Sequence, residues 1–256
     1  MLNWANLASM LAKVISPTIF IFLILGFIES RSLIAALKLT VRVTPFLAAA
    51  LFLNLLLAPK SFGRLILPGE TMNFTGQIAM AAFGLLFIFS KDPNFRRDTG
   101  IRVFLPKSIF ILAVAAGFAI CGIGFLEDLV SNAPFPKDVN YFQKFLFEAT
   151  LPGISEEIVF RGVLLTMANR FFVKRWRFLG AQFGLGLIAV SLPFGLGHLI
   201  STHEMTFAVA SGRFVSTFTS ALILGWIKER TSSLPACMVA HNIANSIGTV
   251  IDYLGK

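Results

Sequence analysis

The stretch ISEEIVFRGVLL, from Ile154 to Leu165, places Glu156, Glu157 and Arg161 inside an otherwise apolar run. A charge near the centre of a bilayer costs roughly 2.5–3.5 kcal/mol on insertion scales, so these side chains need partners or a function. With about 3.6 residues per turn, a helix puts Glu157 and Arg161 on one face, in the favourable order for an ion pair. We therefore expect Arg161 to hold Glu157, while Glu156 faces a cavity.

The whole chain has the composition of an integral membrane protein. Of its 256 residues, 56% are hydrophobic and 14% are charged, and the mean hydropathy is +0.78. Soluble domains are closer to about 45–50% apolar and about 25% charged. The net charge of +9 could suggest nucleic acid, but the basic residues lie in short stretches between apolar runs, as they do in membrane proteins. We expect membrane lipid as a partner, no nucleic acid, and a plasma membrane of the bacterial type.

Recurrent apolar runs predict an all-α, polytopic protein with about eight transmembrane helices in a single transmembrane domain, 1–256. The predicted spans are 14–29, 43–58, 74–90, 106–126, 146–168, 178–200, 207–227 and 233–254. We expect Pro152 and Gly153 to break the fifth span just before the charged motif, with Ser155 as a helix N-cap. The stretch Arg31–Arg42 could form an amphipathic piece at the membrane interface.

The basic residues are distributed unevenly between the two sides that these spans define. Fourteen Lys or Arg follow spans one, three, five and seven, and seven lie on the opposite side, when both termini and Arg213, near the start of the seventh span, are included. Because cytoplasmic loops carry an excess of Lys and Arg, the first set is expected to face the cytoplasm. That orientation places both termini outside.

Two later apolar runs also carry polar side chains. His198 follows Phe194 in PFGLGH, and His241 precedes Asn245 by four residues in AHNIANS. A lone histidine in an apolar run is most often a buried residue bonded to a neighbouring helix, and the glutamate pair could be a purely structural ion pair with Arg161. Together, however, these groups occupy three separate helices at membrane depth. Intramembrane ionisable residues usually carry function, so the set favours a functional site.

Three motifs thus follow one another along the chain: EExxxR at 156–161, FxxxH at 194–198 and HxxxN at 241–245. In this order they resemble the motifs of the CAAX prenyl protease and bacteriocin-processing family, the CPBP or Abi family of intramembrane proteases. The phrase GWIKERTSSLPACMVAHNIANS also resembles that family's approach to its last motif. The resemblance covers a motif-bearing catalytic core at about 140–250, and the first four spans carry no matching motif.

The resemblance implies an endopeptidase that hydrolyses peptide bonds of a membrane-associated peptide or protein substrate, prenylated proteins included. It implies that Glu156 and His198 activate a water molecule, and that His241 and Asn245 form the oxyanion hole. Such donors stabilise a tetrahedral oxyanion well in a water-poor site. The residues that would support this site are Glu157, Arg161 and Phe194.

The family has been described both as metalloproteases and as glutamate proteases that need no metal. Glu156, His198 and His241 could together supply a zinc site with two histidines and one glutamate, a set found in known enzymes. Asn245, in contrast, would add little to a metal site. We favour the glutamate mechanism with no cofactor, and zinc stays the alternative.

Two other functions compete with proteolysis. A non-catalytic immunity or scaffold protein could keep the polar cluster for binding, but it would not need the complete set of motifs. A proton-coupled transporter would also place Glu and His residues in the membrane. Transporters of that kind often have broken helices at matching positions of two halves, and the sequence shows no such symmetry.

Overall fold

The computed structural model describes residues 4–58, 72–102, 104–131, 140–199 and 206–255, apart from the side chains of Ala5 and Ser131. Most of the described residues are helical. The helices are α1 (Trp4–Ser30), α2 (Leu33–Leu56), α3 (Phe74–Phe89), α4 (Pro93–Thr99), α5 (Lys107–Ser131), α6 (Tyr141–Glu148), α7 (Leu151–Glu157), a π-helical segment (Ile158–Leu164), α8 (Leu165–Phe171), α9 (Leu185–Gly197), α10 (Phe207–Thr231) and α11 (Leu234–Leu254). Between α8 and α9 lie two short strands, β1 (Trp176–Phe178) and β2 (Ala181–Phe183).

Within the described ranges, five helices are long and apolar enough to cross a membrane, namely α1, α2, α5, α10 and α11. Two shorter apolar helices, α3 and α9, have 16 and 13 residues. A further helical run, from Leu151 to Phe171, joins α7, the π-helical segment and α8. These elements confirm an all-α integral membrane protein.

The helical run from Leu151 to Phe171 lies at the centre of the packing. Every residue from Glu157 to Leu165 is buried. On one side it packs against α3, where a side chain at Gly84 would meet the Ile158 methyl group at 2.5 Å. The charged motif is therefore surrounded by protein and not by lipid.

The start of this run differs from the sequence prediction. Ser155 is not an N-cap: it lies inside α7, and its hydroxyl donates to the Leu151 carbonyl at 2.8 Å. The helix begins earlier because the helical conformation is interrupted at Ala149 and Thr150, between α6 and α7. Pro152 lies in the first turn of α7. Proline is tolerated there, since the first helical N–H groups have no partner within the helix.

Two other segments also differ from expectation. Arg31–Arg42 is not a separate interfacial piece, because α2 starts at Leu33 with Ser32 as its N-cap. The predicted span 178–200 starts too early, since the β1–β2 hairpin occupies its first residues. The hairpin turn is formed by Leu179 and Gly180, with φ values of 45° and 80°. Two positive φ values are what a tight two-residue hairpin turn requires.

The basic loops lie together at one end of the helices. Arg170, in the last turn of α8, contacts the Asp98 carboxylate at 2.9 Å, and Lys228 of α10 donates to the Asp98 carbonyl at 3.0 Å. The Lys174 backbone N–H donates to the Glu29 carboxylate of α1 at 2.9 Å. Segments at the ends of the first, third, fifth and seventh predicted spans therefore lie on the same side, as expected if their excess of Lys and Arg marks the cytoplasmic side.

Candidate active site

The predicted ion pair between Glu157 and Arg161 is present at the centre of the protein. Arg161 Nη1 lies 3.0 Å from Glu157 Oε1, and the two residues are 2% and 0% exposed. The guanidinium also donates from Nη2 to the Ala221 carbonyl of α10 at 3.1 Å. It lies over the Phe194 ring of α9, 4.5 Å from the ring centroid. Arg161 thus connects the helical run from Leu151 to Phe171, which we call the motif helix, to two other helices.

The helix that carries this pair changes from α to π geometry at Ile158–Leu164, so Arg161 sits in a wider turn than the sequence prediction assumed. π-helical turns are rare and occur frequently at functional sites. The wider turn still leaves Arg161 and Glu157 on the same side of the helix, because their side chains meet.

Glu157 has a second partner, His241, that the sequence did not predict. His241 Nδ1 lies 2.9 Å from the same Oε1 atom that accepts from Arg161. Because a carboxylate oxygen is an acceptor, Nδ1 carries the proton, and Nε2 is the ring nitrogen available to a ligand. Glu157 therefore fixes the orientation and tautomer of a candidate catalytic histidine.

His198 is held in a similar way at the end of α9. Its Nδ1 donates to the Phe194 carbonyl at 2.9 Å, so Nε2 is again available. The Phe194 ring lies 4.6 Å from the His198 ring and 6.2 Å from the His241 ring, measured between centroids. It also meets Phe160 edge to face, at 5.0 Å. Phe194 is thus placed between the two histidines and beside Arg161.

Asn245 is bonded to an acidic residue that belongs to none of the three motifs. Its Nδ2 donates to Glu148 Oε2 at 2.8 Å. Glu148 is the last residue of α6 and is partly buried. Sequence reasoning missed it, although an acidic side chain directly after the apolar residues Phe145 to Phe147 was a signal.

Two cavities meet at His198 and Phe194, and we name each after one residue. The Asn245 cavity, of about 290 Å³, lies between α5, α6, α9, α10 and α11, and its wall includes Glu148, His241 and Asn245. The Glu156 cavity, of about 280 Å³, lies between α1, α2, α3, the motif helix and α9. Both cavities are lined by Phe194 and His198.

Glu156 faces its cavity, as the sequence predicted. Its Oε2 atom is buried and has no hydrogen-bond partner within the described residues. The wall beside it includes Gln77 of α3, whose side chain is hydrogen-bonded to Ser155. A buried carboxylate oxygen that faces a cavity is well placed to bind a water molecule, since water there has polar partners.

The alternative zinc set, Glu156, His198 and His241, does not form a site in this arrangement. Among the residues that the structure describes, no three His, Cys, Asp or Glu side chains are placed to hold a metal ion together. The available Nε2 atoms are chemically suitable ligands. Glu156, however, lines one cavity and His241 the other, so we derive no step through zinc.

Comparison with known proteins supports the family that the motifs suggested. The family model described as "Rce1-like: Type II CAAX prenyl endopeptidase Rce1-like" matches residues 138–247, which contain all three motifs. No curated protein and no solved structure matches the chain. Over residues 138–247, the chain is therefore similar to a family of CAAX prenyl endopeptidases, and this similarity supports a membrane protease of the type that the motifs indicated.

Proposed function

We propose that this protein is an intramembrane endopeptidase that hydrolyses a peptide bond of a membrane-associated peptide or protein with water activated by Glu156. One observation carries the proposal: His198 lines both cavities, with Glu156 in one wall and His241 and Asn245 in the other. A peptide carbonyl beside His198 would lie between a base on one side and two hydrogen-bond donors on the other. That is the arrangement needed for water attack on a peptide bond.

Glu156 is the proposed general base. Its buried Oε2 takes a proton from the attacking water, and the water oxygen forms a bond to the carbonyl carbon. The Nε2 lone pair of His198 accepts the second hydrogen bond of that water, because its Nδ1 proton is already donated to Phe194. When the C–N bond breaks, the proton held by Glu156 passes to the leaving amine.

His241 and Asn245 are the proposed oxyanion donors. Asn245 Nδ2 carries two hydrogens, of which one is donated to Glu148 and the other can be donated to substrate. His241 can donate from Nε2 only if it carries both ring protons. The Glu157 carboxylate, 2.9 Å from Nδ1, is the counter-charge for that form, and the ion pair with Arg161 holds this carboxylate in place.

For the substrate we propose a membrane-associated peptide or protein, which the family match and the membrane context support. A family of CAAX prenyl endopeptidases makes prenylated proteins one candidate class, and other membrane peptides are the second. We propose that no metal is required, because Glu156 lines a cavity and has a buried oxygen without a hydrogen-bond partner among the described residues, which can act on water.

The direct test is a cleavage assay of the purified protein, with a library of membrane peptides that includes prenylated ones. It is run with a chelator, without it, and after metal is added back. We expect cleavage at a defined bond and no effect of the chelator. Loss of activity that returns with zinc would replace the glutamate mechanism by a metal-dependent one. A folded protein that cleaves no peptide in the library would favour a scaffold or a transporter.

We further propose eight membrane segments, both termini outside the cytoplasm, and a bacterial-type plasma membrane. The five long helices, α3, the run from Leu151 to Phe171, and α9 make eight, and the contacts between the basic loops support this alternation. Reporter fusions after Lys256 and in the 91–107 loop should report opposite sides of the membrane. The same side for both fusions would contradict this topology.

A further inference from the structure

Among the residues that the structure describes in the wall of the Asn245 cavity, Glu148 binds a proposed catalytic side chain and belongs to no motif. Its Oε2 accepts from Asn245 Nδ2 at 2.8 Å, across 97 residues of sequence. It lines the same cavity as His198, His241 and Asn245. The wall of this cavity thus contains a carboxylate in direct contact with the proposed oxyanion hole.

The position of Glu148 is fixed by contacts of α6 with its neighbours. Lys144, one turn earlier, forms an ion pair with Asp252 of α11 at 2.5 Å. Phe147 meets Phe74 of α3 edge to face, with 5.1 Å between ring centroids. These two contacts hold α6 against α11 and α3. The helix therefore presents the Glu148 carboxylate to Asn245 in a fixed position.

The chemistry of a carboxamide explains why Asn245 needs such a partner. A carboxamide can turn over and exchange its oxygen and its NH₂ group, which have nearly the same shape. An oxyanion hole requires the NH₂ group, because a carbonyl oxygen would repel the oxyanion. An ionised carboxylate only accepts hydrogen bonds, so Glu148 selects the orientation in which the Asn245 NH₂ group faces the cavity.

We propose that Glu148 is a positioning residue that holds the Asn245 carboxamide with its NH₂ group directed at the substrate oxyanion. This inference rests on the proposed function, in which Asn245 is an oxyanion donor. The competing role is that of a general base, because Glu148 shares a cavity with both histidines. The two roles differ in one respect: positioning needs only an acceptor oxygen, whereas a base needs an ionisable carboxylate.

The experiment compares Glu148→Ala, Glu148→Gln, Asn245→Ala and the double variant Glu148→Ala/Asn245→Ala. We expect Glu148→Ala to lower kcat by about 10–100-fold, the usual loss for a supporting partner, with KM nearly unchanged. Glu148→Gln should keep kcat close to that of the wild type, because its amide oxygen still accepts from Asn245. The double variant should be no slower than Asn245→Ala alone, since residues that act as a unit are not additive.

A second Glu–Asn pair in the same protein provides the control. Asn169 Nδ2 donates to the Glu229 carboxylate, and both residues are partly buried. Neither residue lines either cavity. Glu229→Ala removes the same type of hydrogen bond, together with a 3.8 Å contact with Arg175, and Glu229 does not touch the proposed site. It should lower the melting temperature at least as much as Glu148→Ala does, and leave kcat unchanged.

Each other outcome contradicts the inference. Glu148→Gln as inactive as Glu148→Ala would make Glu148 a base, and additive losses in the double variant would mean that it acts independently of Asn245. If Glu148→Ala does not fold, Glu148→Met keeps the side-chain volume, removes the acceptor, and should show the same loss of kcat. Full activity in either variant would overturn the proposal. The proposed function is tested separately by Glu156→Gln, since wild-type turnover of that variant would refute Glu156 as the base. The coupling between Glu148 and Asn245 could still be measured in that case.

Discussion

The two cavities differ in the helices that form them and in the charges on their walls. The Glu156 cavity is lined largely by apolar side chains, and α1, α2 and α3, which form much of it, lie outside the segment that the family model matches. The Asn245 cavity carries two ion pairs, Lys144–Asp252 and Arg213–Glu127. The difference suggests a separation of tasks: water is held in the less polar cavity, and the peptide in the more polar one.

The largest effect is expected for Glu156→Gln, which removes the proposed base and keeps the shape of the side chain. Turnover should fall by about 10²–10⁴-fold, because that is the usual contribution of a general base. The melting temperature should stay near that of the wild type, since Glu156 Oε2 has no hydrogen-bond partner to lose within the described residues. Wild-type proteolysis by this variant would show that the Glu156 cavity does not hold the attacking water.

Arg161→Ala tests the group that contacts Phe194, the aromatic residue in the walls of both cavities. Removal of one partner from a buried ion pair costs about 3–5 kcal/mol, because the other charge is left buried. We expect a loss of unfolding free energy of that size, together with lost activity. The measurement is denaturation in detergent, with Arg170→Ala as the control.

The control Arg170 is 42% exposed and pairs with Asp98. Exposed pairs contribute only about 0.2–1 kcal/mol, so its loss should be small. If Arg161→Ala were as stable as Arg170→Ala yet inactive, Arg161 would have a direct part in catalysis.

The smallest effect is expected for substitutions that place a larger side chain inside one of the two cavities. Gly197 lines the Glu156 cavity and Gly248 the Asn245 cavity, and an added Cβ at either position meets no atom within 4 Å. Leucine at either position should therefore fold. A mismatch of one methylene group between a pocket and its substrate changes specificity, the ratio of the kcat/KM values of two substrates, by about 10–200-fold.

The two leucine variants should differ in kinetic signature. Gly197→Leu is expected to lower kcat for every substrate, because it obstructs water, and Gly248→Leu to raise KM by an amount that depends on the peptide. Steady-state kinetics on several peptides distinguishes these results. The same signature for both variants would remove the proposed division between the cavities.

Local contacts of the site were predictable from sequence, and distant ones were not. The Glu157–Arg161 pair lies within one helix, so spacing alone predicted it. The bond from His241 to Glu157 spans 84 residues, and no spacing rule reaches that far. Glu148 was missed because its importance lies in its contact with Asn245, which exists only after α6 has packed against α11.

The fold shows the same limit. Long apolar runs were correctly predicted as helices, because hydropathy over some twenty residues is a strong signal. The β1–β2 hairpin was not, since its apolar residues continue the run that becomes α9 and only the Leu179–Gly180 turn separates them. The π-helical segment Ile158–Leu164 has no local signature, and tertiary packing determines it.

The position of Arg161 has a consequence for biosynthesis. Of its partners, Glu157 lies on the same helix, whereas Ala221 and the Phe194 ring belong to α10 and α9, which are synthesised later. Until those helices emerge, the segment from Leu151 to Phe171 must enter the bilayer with the charges of Glu156, Glu157 and Arg161 and one internal ion pair, at a cost of roughly 2.5–3.5 kcal/mol for each unpaired charge. Its stable insertion thus depends on the C-terminal helices, so a ribosome-bound chain that ends before α9 would hold this segment only loosely in the membrane.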